Sequence, residues 1–284
     1  RGGKIVPRTE PGNPDLAVMS GVRGVLFDVD GVFHVSMQPI PGSVTLLNDL
    51  AAQHVPFRLL TNTTTVSRAT LAARLRQLGL PVADDLLLTA PVATADYVRR
   101  RFAGVPCYLL AKGDVAADFR AAGIDIVGPD GAPAAGVVVI GGAEDELTYA
   151  RLNHAYRLLL GGAKLVAMHR NVAWKTAHGM QLDSGPFIAA LASAAGVRTT
   201  VVGKPAPPIF RHAVRAIGLP ANQVAMVGDD ARTDLLPARR LGLTGVLVRT
   251  GKPVGPGEKA LADIVLDSVA ELRPLLVAAG LLTV

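Results

Sequence analysis

The sequence predicts an α/β protein, a doubly wound parallel-sheet core interrupted by an inserted α/β cap. Three observations predict it. Short apolar runs such as Val25-Leu-Phe27 and Val224-Ala-Met-Val227 lack polar alternation, as strands covered on both faces do. Helical patterns alternate with these runs, as parallel crossovers require. Near both ends of the chain the runs stop at polar clusters, where open α/β sheets place their ligands.

Residues 1–20, rich in Pro, Gly and charge and without an apolar signal-peptide core, read as a loose tail. The first strand runs through Val25-Leu-Phe27 into Asp28 and Asp30. Alternation along an extended segment would turn both carboxylates to one side, with Val29 between them. A turn at Pro39–Ser43 leads into a helix over Val44–Gln53. The strand Pro56–Leu60 ends in Thr61-Asn62, and a helix follows over Ser67–Leu78, stopped by Gly79 and Pro81.

From about Leu88 the pattern changes. Helices are expected at Ala90–Phe102, Val115–Ala122, Thr148–Leu160 and Pro186–Ala195, and strands at Val105–Ala111, Gly136–Ile140 and Ala163–Met168. The first pattern then resumes. Strand Thr199–Val202 ends in Gly203-Lys204-Pro205, helix Ile209–Ile217 follows, and strand Val224–Val227 ends in Gly228-Asp229-Asp230. A helix to Leu241 and strands Gly245–Val248 and Ile264–Leu266 complete the chain. The expected domains are a core of residues 21–88 plus 199–284 and a cap of residues 89–198.

Composition narrows the function. With 284 residues, 50% of them hydrophobic and 18% charged, the chain can bury a large core and is not a disordered segment. No apolar run reaches membrane-span length, so no membrane partner is expected. The net charge of +6 comes without a basic block beyond Arg99-Arg100-Arg101, and aromatics are dispersed, which argues against nucleic acid. The lone Cys107 fits a reducing cytoplasm. No His/Cys grouping has zinc spacing, and neither a Gly-x-Ser-x-Gly elbow nor a P-loop occurs.

What remains is the chemistry at four strand ends, Asp28/Asp30, Thr61/Asn62, Lys204 and Asp229/Asp230, which a single parallel sheet would bring to one rim. A carboxylate can attack phosphorus, and a second can act as acid and base. Hydroxyl, N–H and ammonium donors can hold the transferring oxygens. Neighbouring aspartates suit Mg²⁺. A Ca²⁺ loop at Asp28-Val-Asp30 is excluded because Val32-Phe33 supply no further oxygen ligands.

Asp28-Val-Asp-Gly-Val32, Thr61-Asn62, Lys204-Pro205 and Gly228-Asp-Asp230 with Asp234 resemble, in order, the four motifs of the haloacid dehalogenase superfamily of aspartate-dependent phosphatases, whose core is Rossmann-like. The large insertion resembles the para-nitrophenyl and pyridoxal phosphate phosphatase branch. Leu152–Leu160, Ala167-Met-His169 and Leu182–Phe187 resemble the group around phospholysine phosphohistidine inorganic pyrophosphate phosphatase.

The resemblance implies a hydrolase acting on a small phosphorylated substrate. Asp28 is then nucleophile and metal ligand, and Asp30 acid/base with its carbonyl on Mg²⁺. Thr61, Asn62 and Lys204 hold phosphate, Asp229 is a metal carboxylate, and Asp230 and Asp234 support the site. Asp183, His169 and His178 are candidate specificity residues of the cap, with Trp174 beside them, while His34, four residues after Asp30, is a weaker candidate for touching the leaving group. A homodimer through the cap is a further expectation of the same resemblance. Two rivals stay open, a dehalogenase of the same superfamily and a phosphate- or metabolite-binding protein without turnover.

Overall fold

The computed structural model describes residues 13–130, 134–176 and 179–283. Its strands are β1 (Gly24–Asp28), β2 (His34–Val35), β3 (Gln38–Pro39), β4 (Phe57–Thr61), β5 (Leu87–Thr89), β6 (Cys107–Leu110), β7 (Val137–Ile140), β8 (Lys164–Ala167), β9 (Ala173–Thr176), β10 (Gly179–Leu182), β11 (Thr199–Val201), β12 (Val224–Gly228), β13 (Thr244–Val248) and β14 (Ile264–Leu266). Helices alternate with them, among them α1 (Pro14–Met19), α2 (Ser43–Ala52), α3 (Arg68–Gln77), α4 (Ala90–Arg101), α5 (Ala116–Ala121), α6 (Tyr149–Leu160) and α7 (Gly185–Ala195). Among the described residues the chain divides into two compact units, 13–61, 72–87 and 210–283 in one, 62–71 and 88–209 in the other.

The first unit holds a six-stranded sheet in the order β14-β13-β12-β1-β4-β5, with β5 beginning at Leu87. β1 pairs in parallel with β12 on one side and β4 on the other. Every residue of β1 and β12 is buried, which explains their unbroken apolar runs. Phe27 anchors this core through edge-on contacts with Phe33 and Phe57, at centroid distances of 5.1 and 6.5 Å. Leu46, Leu47 and Leu50 of α2 are fully buried at helical spacing.

The second unit has a four-stranded parallel sheet, β11-β8-β7-β6, and an antiparallel hairpin of β9 and β10. Tyr108, Val138, Ile140, Leu165 and Ala167 from the sheet pack with Leu159 of α6 and with Ile188 and Leu191 of α7. The side chain of Thr148 caps α6 by accepting the Arg151 N–H at 3.3 Å.

Two expectations require correction. The loose tail 1–20 contains α1, formed because Asn13 caps it, Pro14 opens it and Met19 is fully buried; residues 1–12 lie outside the described residues. The strand before Lys204, expected in the core sheet, is β11, which pairs with β8 in the smaller sheet. Half-buried and three residues long, it carries little pattern of its own to say which sheet it joins.

Candidate active site

Adjacent strands β1 and β12 run in register from Gly24 beside Val224 to Phe27 beside Val227. β1 ends on Asp28 and β12 on Gly228, so Asp229 leaves the sheet beside Asp28. Asp28, Asp229 and Asp234 bring carboxylate oxygens within 4.8 Å of one another. They are 7%, 7% and 0% exposed, so bulk water does little to separate the charges. Three buried like charges are costly without a cation to offset them.

Asp234 reaches the cluster through one π-helical turn, Ala231–Leu235. Asp230 caps that turn. Its Oδ1 accepts the N–H groups of Arg232 and Thr233, both at 3.0 Å, and its own N–H donates to Asp234 Oδ2 at 3.3 Å. Lys252 Nζ also donates to Asp230. Burial alone would raise the Asp230 pKa, but the hydrogen bonds from Lys252 and Thr233 hold it below the usual carboxylate range.

Glycines wall the cluster. A Cβ on Gly31, whose φ is +79°, would lie 2.5 Å from Asp229 Oδ2, and one on Gly228 would lie 2.5 Å from Asp234 Oδ2. A Cβ on Gly251 would overlap Asp229 as well. An all-oxygen, buried donor set closed in this way fits a hard divalent cation such as Mg²⁺. Asp234 therefore belongs among the possible ligand carboxylates, closer in than its expected supporting place.

Asp30 does not share an extended strand with Asp28, contrary to the expectation from alternation. β1 stops at Asp28, whose carboxylate accepts the Val29 N–H at 2.7 Å. The chain then turns, with Phe33 N–H donating to Val29 O at 3.0 Å and Gly31 N–H to His34 O at 2.8 Å. The Asp30 side chain is left 66% exposed. Thr61 Oγ1 lies 3.5 Å from Asp30 Oδ2, and the buried His34 places Nε2 3.7 Å from Oδ1.

Sequence reasoning missed the loop after β13. Thr250 Oγ1 donates to Gly31 O, and the Lys252 N–H donates to Asp229 Oδ2 at 3.0 Å. The signal was present: Arg249-Thr-Gly-Lys252 is another polar cluster after an apolar strand of this sheet.

In the second unit the Asn62 side chain spans the Lys204 backbone. Nδ2–H donates to Lys204 O and Oδ1 accepts the Lys204 N–H, both at 2.8 Å. Lys204 is 3% exposed. His169 is also buried, with Nε2 3.0 Å from Thr64 Oγ1 and 3.7 Å from Asp183 Oδ1. Asp183 Oδ1 accepts the Ser184 N–H at 2.7 Å. Trp174 is partly exposed on β9, and His178 lies outside the described residues.

A haloacid dehalogenase-like hydrolase model matches residues 25–125, and a second HAD-hydrolase-like model matches residues 201–272. Haloacid dehalogenase-like hydrolase domain-containing protein 2 of Bos taurus is 36% identical over 237 residues, covering 84% of this chain and 88% of that protein. Phospholysine phosphohistidine inorganic pyrophosphate phosphatase of Homo sapiens is 34% identical over 267 residues, covering 91% and 95%. The crystal structure of a 4-nitrophenylphosphatase from Thermotoga maritima superposes with a TM-score of 0.80 at 28% identity, over 90% of this chain and 97% of that one. The chain belongs to the haloacid dehalogenase-like hydrolases, among relatives and structural neighbours named as phosphatases.

Proposed function

We propose that the protein is a Mg²⁺-dependent phosphohydrolase that cleaves small phosphorylated compounds through an aspartyl-phosphate intermediate. The observation that supports it best is the buried carboxylate trio at the ends of β1 and β12. Asp28, Asp229 and Asp234 would hold Mg²⁺, with the Asp30 carbonyl as the further ligand that the family resemblance implies. When bound, the ion neutralises charge on the carboxylates and on the phosphoryl oxygens.

Asp28 is the nucleophile. Its carboxylate attacks phosphorus, the bond to the leaving oxygen breaks, and the phosphoryl group passes to Asp28. Asp30 donates the proton that the leaving oxygen takes up. It then removes a proton from the water that attacks the acyl phosphate, so that Asp28 and inorganic phosphate are regenerated. The different surroundings of the two carboxylates suit this division of labour: Asp28 is enclosed, while Asp30 stands exposed where protons exchange with solvent. Thr61, the Asn62 N–H and Lys204 are the proposed phosphate-holding groups, Lys204 as the cation.

Phosphate release from pyrophosphate, a phosphoamide, pyridoxal phosphate, sugar phosphates and para-nitrophenyl phosphate tests the reading. Release that requires added Mg²⁺ supports it. Release unaffected by metal removal contradicts it, and phosphate binding with no release from any compound favours the binding protein.

A further inference from the structure

His169 has no role in the steps just described, yet the structure encloses it and occupies both ring nitrogens. The Asn171 N–H can only donate, and it points at His169 Nδ1 at 3.3 Å. Nδ1 is therefore the bare acceptor, and Nε2 carries the proton that it donates to Thr64 Oγ1 at 3.0 Å. Thr64 Oγ1 also accepts the Gly142 N–H at 2.9 Å, so both lone pairs of a buried hydroxyl are used. The residue before His169, Met168, accepts the Gly203 N–H on its carbonyl at 2.9 Å.

These contacts close a ring. Asn62 clamps Lys204, Lys204 follows Gly203, Gly203 is tied to Met168, and His169 is tied to Thr64, two residues beyond Asn62. A Cβ on Gly203 would overlap Met168 O, so the two segments can approach this closely only with glycine there.

We propose that His169 is a positioning residue that, through Thr64 and the Met168–Gly203 contact, holds Asn62 and Lys204 in their phosphate-binding arrangement. The proposal rests on the phosphatase reading for what the pair binds, though not for the ring itself. Either break in the ring has the same consequence. Removing the imidazole leaves the Thr64 oxygen short of a donor, and removing the Thr64 hydroxyl strands the Gly142 N–H and His169 Nε2–H in the interior.

The test uses His169→Leu, Thr64→Val and His169→Gln, whose amide N–H can still reach Thr64. Two quantities are read on the full chain: hydrogen exchange of the Lys204 amide, and the Kd for inorganic phosphate with Mg²⁺. Exchange at β7 and the Tm serve as controls for general loosening. His169→Leu and Thr64→Val should speed Lys204 exchange and weaken phosphate by about tenfold each, the worth of roughly one buried hydrogen bond. His169→Gln should recover most of both at a Tm similar to that of His169→Leu.

Lys204 exchange unchanged in His169→Leu, or Lys204 exchange and phosphate Kd that fail to recover in His169→Gln, overturns the proposal. Faster Lys204 exchange in a protein whose wild type binds no phosphate leaves the positioning role standing and removes the phosphatase reading.

Discussion

Asn62 and Lys204, 142 positions apart in sequence, are joined by a two-pronged amide clamp, with both hydrogen bonds at 2.8 Å. Asn62 commits one N–H and one lone pair of its side-chain amide to the Lys204 backbone, and in the proposed reading its main-chain N–H serves the phosphate. Asn62→Leu removes both prongs and strands the Lys204 N–H and carbonyl. The expected cost is about 2 kcal/mol in denaturant unfolding, at roughly 1 kcal/mol per bond. A loss below a quarter of that would mean that water replaces the clamp.

Gly31→Ala should damage the proposed metal site first. The φ of +79° is unfavourable for alanine, and the new methyl would meet Asp229 Oδ2. Mg²⁺ affinity, read by calorimetry, should fall more than about tenfold, equivalent to roughly 1.4 kcal/mol. Unchanged affinity would place the cation away from Asp229.

Burial lowers the pKa of His169, with the Asp183 carboxylate opposing. A histidine whose folded pKa lies below its unfolded value adds stability above the unfolded pKa and loses it as pH falls through that value towards the folded one. Stability should therefore decline as pH drops below roughly 6.5. Asp114 acts lower down. Its carboxylate accepts the Ser67 hydroxyl, the Thr70 hydroxyl at 2.6 Å and the Ser67 N–H at 2.7 Å, and its pKa is lowered to about 2. Its contribution is present above roughly pH 4 and disappears as pH falls towards 2. Unfolding midpoints measured across pH should show the first decline flattened in His169→Gln and the second in Asp114→Asn.

Cys107 is fully buried, and burial pushes its thiol up to about 12. The native protein should resist thiol reagents at neutral pH and react once unfolded, a contrast readable by mass. Rapid labelling of native Cys107 would show that β6 opens readily.

Much of the fold was legible because each buried parallel strand is a short apolar run stopped by a polar cluster. β14 spans the expected Ile264–Leu266, and α4 and α6 differ from expectation by a residue at one end. What escaped were elements too short to show a period, such as β5, and partners set by distant pairing, such as the sheet that β11 joins. Strand alternation misjudged Asp30 because the turn at Val29–Phe33 begins one residue after Asp28. Asp234 was identified, but its depth depends on a π turn, which leaves no residue-level signature. Lys252 carried the same strand-end signal as the motifs and was passed over, while its contacts with Asp229 and Asp230 needed the fold.

The central claim is covalent transfer to Asp28. Asp30→Asn, mixed with para-nitrophenyl phosphate and Mg²⁺ and quenched in acid, should carry the mass of one phosphoryl group on the peptide that contains Asp28, and Asp28→Asn should carry none. Wild-type turnover with no phosphorylated Asp28 peptide in the Asp30→Asn quench, or turnover surviving in Asp28→Asn, would contradict the account.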